Sequence, residues 1–159
     1  MKYPLHDLLR VRKFREEKLA TELTKRRTEL DEARQSVVDR RRERDEYIDW
    51  RVKREAELYD EVMNQHLGVA DLDDLKLRIQ LLRDDEVAYS QRVMDAEKHQ
   101  AACEEAVVAA KADHLAAVRD SEKIEQHREG WAQVVAKEHE ANQEKELEDF
   151  RVRTLEAGD

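Results

Sequence analysis

The sequence predicts an all-α fold: two long helices forming an antiparallel coiled-coil hairpin, helix 2 longer than helix 1. Three observations point there. Residues 72–135 hold a single heptad register, 43% of the 159 residues are charged with only three Gly and one Pro, and a lone glycine-containing break at 66–71 separates two uninterrupted segments. A repeat of 3.5 residues keeps an apolar stripe against one partner helix, which is the mark of a coiled-coil strand. A chain rich in Glu, Lys, Arg, Ala and Leu with that period is a long helix and not a disordered tail.

Helix 1 is expected over about residues 5–66. Pro4 suits a first helical turn, and nothing breaks the chain from Leu5 onward. Its seam is irregular: Leu19, Leu23, Leu30, Ala33 and Val37 make one clean stretch, and Ile48, Val52, Tyr59 and Val62 make another. Between them, Arg40, Arg41, Arg42 and Arg44 flank the seam, and the register is expected to slip by about one position. These arginines face an alanine-rich part of helix 2 carrying Asp95, Glu97, Glu104 and Glu105. A solvated ladder of interhelical charges and a weak point where the rod bends both fit that pattern.

The turn is expected at 67–71, with Gly68 in the left-handed conformation that ends a helix and Asp71 capping the next. Helix 2 should then run over about 72–156, interrupted only by Gly130. Its d positions (Leu75, Leu82, Tyr89, Ala96, Cys103, Ala110, Ala117, Ile124, Trp131) are all apolar, whereas only half of its a positions are. At 1.5 Å per residue the two helices would be on the order of 90 Å and 130 Å long. A short turn makes them antiparallel neighbours. Folding about residue 69 puts residue i near 138 − i, so Phe14 should lie beside Ile124, Leu23 beside Leu115, and Tyr59 beside Ile79. The seam of helix 2 fades after Val135, where helix 1 runs out, which leaves a C-terminal overhang from about residue 136. The whole chain, 1–159, reads as one such hairpin, monomeric in isolation, because the polar break at 40–44 and Gly68 suit it better than a continuous parallel dimer.

Net charge is −9, divided as +1 over residues 1–66 and −10 over 67–159, although the first 27 residues alone are +5. An acidic chain without a base-stacking aromatic platform is not expected to bind nucleic acid. The longest uncharged run is nine residues, far short of a membrane span, so no direct membrane insertion is expected. No apolar stretch follows Met1, so the sequence predicts no signal peptide and, by default, a cytoplasmic location. A single cysteine excludes an internal disulfide, and Cys103 at a d position reads as a small buried hydrophobe.

Catalytic chemistry has no visible foothold. There is no phosphate-binding glycine loop, no histidine has Glu three residues before it, and no two histidines are spaced i, i+4. Cys103 pairs with no readable base. A non-enzyme without metal or cofactor is expected, since catalysis needs a concave, water-excluding site.

Three regions carry more apolar or aromatic character than a hairpin requires. At the open end, Tyr3, Leu5, Leu8, Leu9 and Val11 meet Trp131, Val134 and Val135, with Arg10, Arg12, Lys13 and Arg15 alongside; end closure and partner contact both fit. Tyr47, Trp50, Arg54 and Leu58 follow helical spacing beside Arg51, yet Ile48 and Val52 claim the seam, so Trp50 should face outward as an interaction hot spot. The overhang carries Leu147, Phe150 and Leu155 among four basic and eight acidic residues. Alone, such a helix would be marginal and would either fray or dock.

At these residues the chain resembles a known family. The order Tyr3-Pro4-Leu5-x-x-Leu8-Leu9-x-x-Arg12, then Tyr47-x-x-Trp50-Arg51, then Leu58-Tyr59-Asp60 is followed by the short glycine turn and His127-x-x-x-Trp131, with an acidic run ending near Phe150. It is similar over nearly its whole length to the YscO family of bacterial type III secretion systems, whose flagellar relative is FliJ. The resemblance implies an antiparallel hairpin serving as central stalk of the secretion ATPase hexamer, similar in shape to the two-helix part of the rotary ATPase gamma subunit. It also implies contact with the cytoplasmic domain of the export-gate protein, binding of translocator chaperones, and a place at the cytosolic face of the apparatus. Carried over, Leu5, Leu8, Leu9, Arg12 and Trp131 are ATPase-binding candidates. Tyr47, Trp50, Arg51 and Leu58 are export-gate or chaperone-binding candidates. A flagellar export counterpart and a purely structural spacer or dimer are the alternatives.

Overall fold

The computed structural model describes residues 1–66 and 68–158 and contains two helices, α1 (His6–Met63) and α2 (Val69–Glu156). The fold class is as expected: two long helices packed against each other, α2 the longer by 88 residues to 58, and no strand among the described residues. α1 follows a turn in which the His6 amide donates to the Tyr3 carbonyl at 3.2 Å. Pro4 sits inside that turn, where its missing N–H leaves no partner unsatisfied.

The start of α2 differs from expectation. Leu67, part of the expected turn, lies outside the described residues. Gly68 immediately precedes α2, and no described residue has a positive φ, so Gly68 is not a left-handed terminator. Asp71 is the third residue of the helix and not its leading cap. Its Oδ2 accepts from the Gly68 amide at 3.1 Å, while the Gly68 carbonyl accepts from the Asp71 and Leu72 amides at 3.2 and 3.4 Å. This is half of a capping box, the acid reaching back to satisfy the amide ahead of the helix. Its charge also meets the positive end of the helix dipole.

The chain divides into two compact units, Leu23–Ala110 and Met1–Glu22 with Lys111–Asp159. In Leu23–Ala110, every heptad position of α2 from Leu75 to Ala110 is buried or half-buried. On α1 the matching row is Leu23, Leu30, Val37, Arg44, Arg51 and Leu58, each seven residues from the last. The expected slip of register is therefore absent. Val52 and Tyr59, placed in the seam by their hydrophobicity, are exposed, and Leu58 is 4% exposed. Leu115, in the other unit, is likewise off the seam. Two apolar clusters anchor the unit: Leu30, Ala33 and Cys103 with Val107, and Leu58, Leu75 and Ile79 with Val62 and Leu82. Each buried leucine contributes about 1.5–3 kcal/mol against solvent exposure.

α1 runs unbroken through 40–44. Arg41 reaches across to Glu97 at 2.6 Å, whereas Arg40, Arg42 and Arg44 pair along their own helix with Glu43, Asp39 and Asp45. Such exposed pairs add little stability, about 0–1 kcal/mol each. They let arginine occupy the seam region without leaving a charge unpaired.

In the unit containing both termini, Tyr3 and Leu9 are buried, Tyr3 against Ile124, His127 and Trp131 of α2, and α2 buries Ala117 and Ser121. Phe14, expected beside Ile124, instead turns away from the seam and is 69% exposed. From Ala136 to Gly158 every residue is exposed, although α2 remains helical to Glu156.

Candidate interaction surfaces

Five of the sequence-derived candidates fall in the terminal unit. Leu9 is buried, Leu5 and Trp131 are half-buried, Arg12 is ion-paired to Asp120 at 3.0 Å, and Leu8 is exposed. Tyr3 joins them. Its hydroxyl lies 2.7 Å from Nδ1 of His127 and donates to the Ile124 carbonyl at 3.4 Å, and its ring tilts against Trp131 at 5.4 Å. Burying a tyrosine is favourable only when its hydroxyl finds a partner, and helix 2 supplies two. One turn further on, Lys13 bridges Glu125 at 3.0 Å and Glu16 at 3.8 Å. The hydrogen bond to Glu125, helped by the charges of Glu16, Glu125 and Glu122, holds the Lys13 ammonium above its ordinary range despite some desolvation. Ser121, the most deeply buried side chain among the described residues at 0% exposure, has one hydroxyl proton to share between the Glu16 carboxylate and the Val118 carbonyl. Leu9, Tyr3 and Trp131 thus close the seam. Leu8, Val11 and Phe14 form an exposed row on the face of α1 turned away from α2.

The other four candidates fall in Leu23–Ala110, and packing separates them. Leu58 is core. Tyr47 is half-buried, stacked on Tyr89 with centroids 4.5 Å apart, and its hydroxyl donates to the Leu82 carbonyl at 2.7 Å. Burial, reinforced by the carboxylate of Asp85, pushes that phenol above its usual range. Arg51 lies in the seam itself. Its Nη1 donates to Glu55 at 2.9 Å, and its Nε makes an ion-pair contact with Glu86 across the helices that is not aligned as a hydrogen bond. The bond to Glu55 foremost keeps the guanidinium firmly charged. Partial burial pushes the Glu55 carboxyl up, but hydrogen bonds from Arg83 at 3.2 Å and Arg51 outweigh it and hold it net below its ordinary value. Only Trp50 faces solvent, 51% exposed, its indole tilted on Tyr47 at 5.6 Å. The groove beside it is lined by Arg40, Glu43, Glu46, Tyr89 and Arg92, with Arg92 stacked over the Tyr89 ring at 4.9 Å.

Several of these contacts are not evident from hydrophobicity. Glu16 and Arg51 do not stand out as seam residues, yet both lie on the seven-residue row that begins at Leu9 and ends at Leu58. The rule pairing i with 138 − i also names Lys13–Glu125, Arg41–Glu97 and Glu55–Arg83 outright. Cys103 has a neighbouring base after all, since His99 Nε2 is 3.7 Å from its sulfur, one turn back on the same helix. Among the described residues no cluster of His, Cys, Asp or Glu could hold a metal ion, and no helix is long and apolar enough to cross a membrane.

Two long packed helices, one unit carrying an aromatic clasp and the other an exposed tryptophan over a ring stack, define an all-α two-helix protein. The chain matches the family described as type III secretion protein YscO over residues 5–153, and it belongs to that family. No curated protein matches it. It is similar to the solved structure of CT670, described as a YscO homologue, from Chlamydia trachomatis, with a TM-score of 0.76 and 21% identity, covering 98% of this chain and 94% of that one. At that identity the likeness speaks for the fold alone. Family membership makes this a type III secretion-related protein of a non-catalytic family.

Proposed function

We propose that the chain is a non-enzymatic central-stalk component of a bacterial type III secretion system. It binds the secretion ATPase, couples it to the export gate and escorts the chaperones of translocator proteins. Membership of the YscO family supports the system. The observation that carries the finer reading is the sorting of the candidate residues into two separate units. One holds an aromatic clasp beside the exposed Leu8 and the basic Arg10 and Arg15, and the other presents Trp50. A protein that joins two partners needs two independent contact surfaces, and an exposed tryptophan backed by a fixed ring stack has the character of a binding hot spot.

The test is capture of the purified secretion ATPase by this protein, with ATP hydrolysis and ring assembly followed on addition. Stimulation of both is expected, and Leu8→Glu should weaken it. Trp50→Ala should spare the ATPase and weaken capture of the export-gate domain or a chaperone. A chain that neither binds nor stimulates the ATPase is not its stalk.

A further inference from the structure

Within Leu23–Ala110 and the turn beside it, α2 carries a second apolar row on the side turned away from α1. Leu77 stands two residues from both Leu75 and Ile79, a rotation of about 200° on a helix, so it lies opposite the seam. Ala70, Leu77, Leu81 and Ala88 share that side and are all exposed, Leu77 at 58% and Leu81 at 55%. Their separations of seven, four and seven residues are those of a coiled-coil stripe, the pattern that a further helix reads. No described residue covers it. Acidic pairs bracket the two leucines about one turn to each side, Asp73 and Asp74 before them and Asp84 and Asp85 after. The first pair suits the start of a helix, whose dipole favours acids, but the second lies about four turns into α2, beyond the reach of that effect. The neighbouring cations do not neutralise these acids. Arg83 bonds Glu55 on α1 at 3.2 Å, Arg78 pairs with Asp74 at 3.1 Å, and Lys76 sits on the flank. Asp84 accepts from the neutral Gln80 amide at 2.8 Å. Asp73, Asp84 and Asp85 are therefore left without a cationic partner among the described residues.

We propose that this face of α2 docks a basic amphipathic helix of a partner protein, a contact beyond the two proposed above. Aliphatic side chains of that helix, spaced i, i+4, lie over Leu77 and Leu81. Lysines or arginines one turn to each side of them meet the two acidic pairs. The sign of the charge selects the occupant. Nucleic acid and anionic lipid are both negative and are repelled by a face of unmatched carboxylates. The end of α2 in a second copy is excluded on the same ground, since its exposed Leu147 and Phe150 are set among Glu144, Glu146, Glu148 and Asp149. The helical form of the occupant follows from the row itself. Leucines one turn apart present a ridge into which the i, i+4 ridge of another helix interdigitates. From Asp73 to Asp85 the face spans about 18 Å, so a helix of roughly three to four turns covers it. Two leucines and a rim of screened charges make a small, transient contact, in which the charges set register and association rate.

The test uses the full chain and a fluorescent helical peptide carrying leucines at i, i+4 with two lysines one turn to each side. One control peptide has glutamates for the lysines, and another keeps the lysines but moves the leucines to opposite faces. Fluorescence anisotropy should show half-saturation by the lysine peptide on the order of 0.1 mM in about 50 mM salt, weakened at least fivefold near 0.5 M. Both controls should bind at least about tenfold more weakly. Leu77→Glu with Leu81→Glu should remove binding while helical content by circular dichroism is kept, because neither side chain enters the seam. Asp84→Lys with Asp85→Lys should weaken it about tenfold or more. Trp50→Ala should bind as the parent does. No saturation by about 1 mM, equal binding of the displaced-leucine peptide, or indifference to the double glutamate variant overturns the proposal. A loss in Trp50→Ala equal to that in the leucine variant moves the contact to the Trp50 surface and also overturns it. Sedimentation velocity covers the remaining occupant, the basic start of α1 in a second copy. A parent chain that self-associates, with the association broken by Leu77→Glu and Leu81→Glu, replaces the partner helix by that second copy.

Discussion

Trp50 and Leu58 lie eight residues apart on α1, and their helical spacing alone groups them on one surface, so replacing each by alanine separates a contact residue from a core residue. Leu58 is 4% exposed and packs on Leu75 and Ile79. Its truncation removes the transfer free energy of the lost methyl groups and leaves a cavity, which together cost about 2–5 kcal/mol in compact cores. A two-helix layer has solvent on both flanks and relaxes more easily, so about 2–3 kcal/mol is expected. That lowers the melting temperature of the Leu23–Ala110 unit by roughly 8–24 °C. Trp50 is half exposed and keeps one tilted contact with Tyr47. Its loss should cost only about 0.5–1 kcal/mol. Urea titration followed by circular dichroism measures both. Capture of the export-gate domain or a chaperone should reverse the order, with Trp50→Ala weakened tenfold or more at unchanged helicity. Equal destabilisation by the two variants would refute the division of the row into seam and surface, and so would a Leu58→Ala protein as stable as the parent.

Three other perturbations probe the seam and its helices. The Glu55 carboxyl is held below its ordinary value, so its contribution is present above the unfolded value of about 4.3 and lost as pH falls through the lower folded value. The melting temperature should therefore fall between about pH 5 and 3 more steeply in the parent than in Glu55→Gln, and parallel pH profiles would exclude the Arg51–Glu55–Arg83 network as the cause. Ser121→Ala removes a buried donor to Glu16 and should cost about 1–2 kcal/mol by urea titration. Adding Glu16→Leu should recover most of that, because without the Ser121 donor the seam carboxylate keeps only its long 3.8 Å contact with Lys13. Gly130 lies inside α2 without a positive φ, and a methyl group in place of its hydrogen would meet nothing within 4 Å. Gly130→Ala should therefore raise stability by about 0.5–1 kcal/mol, and a loss would point to a contact at that face.

The legible and illegible parts of the seam differ in what fills them. On α2 the d positions are apolar without exception, so their period alone identifies the buried face, and every heptad position from Leu75 to Ile124 is buried or half-buried. On α1 the buried row passes through Glu16, Arg44 and Arg51, while Val52 and Tyr59 lie outside it. Hydrophobicity then points to the wrong row. The wider pattern is still present, since Leu9, Leu23, Leu30, Val37 and Leu58 are separated by multiples of seven. The turn is legible as a break but not as a conformation, because Gly68 serves both a left-handed stop and the position ahead of a capping acid.

Sequence by itself determined the two helices, their antiparallel pairing and the heptad face of α2, because periodicity is a one-dimensional property that needs no partner to be seen. Tertiary structure alone decided which α1 side chains enter the seam. Whereas Arg44 pairs along α1 with Asp45, Arg51 and Glu16 enter because the opposite helix supplies a partner, Glu86 by charge for Arg51 and Ser121 by hydrogen bond for Glu16. That is a pairwise condition, invisible in either helix alone. It moved Leu58 and Arg51 inward and left Trp50 on the surface.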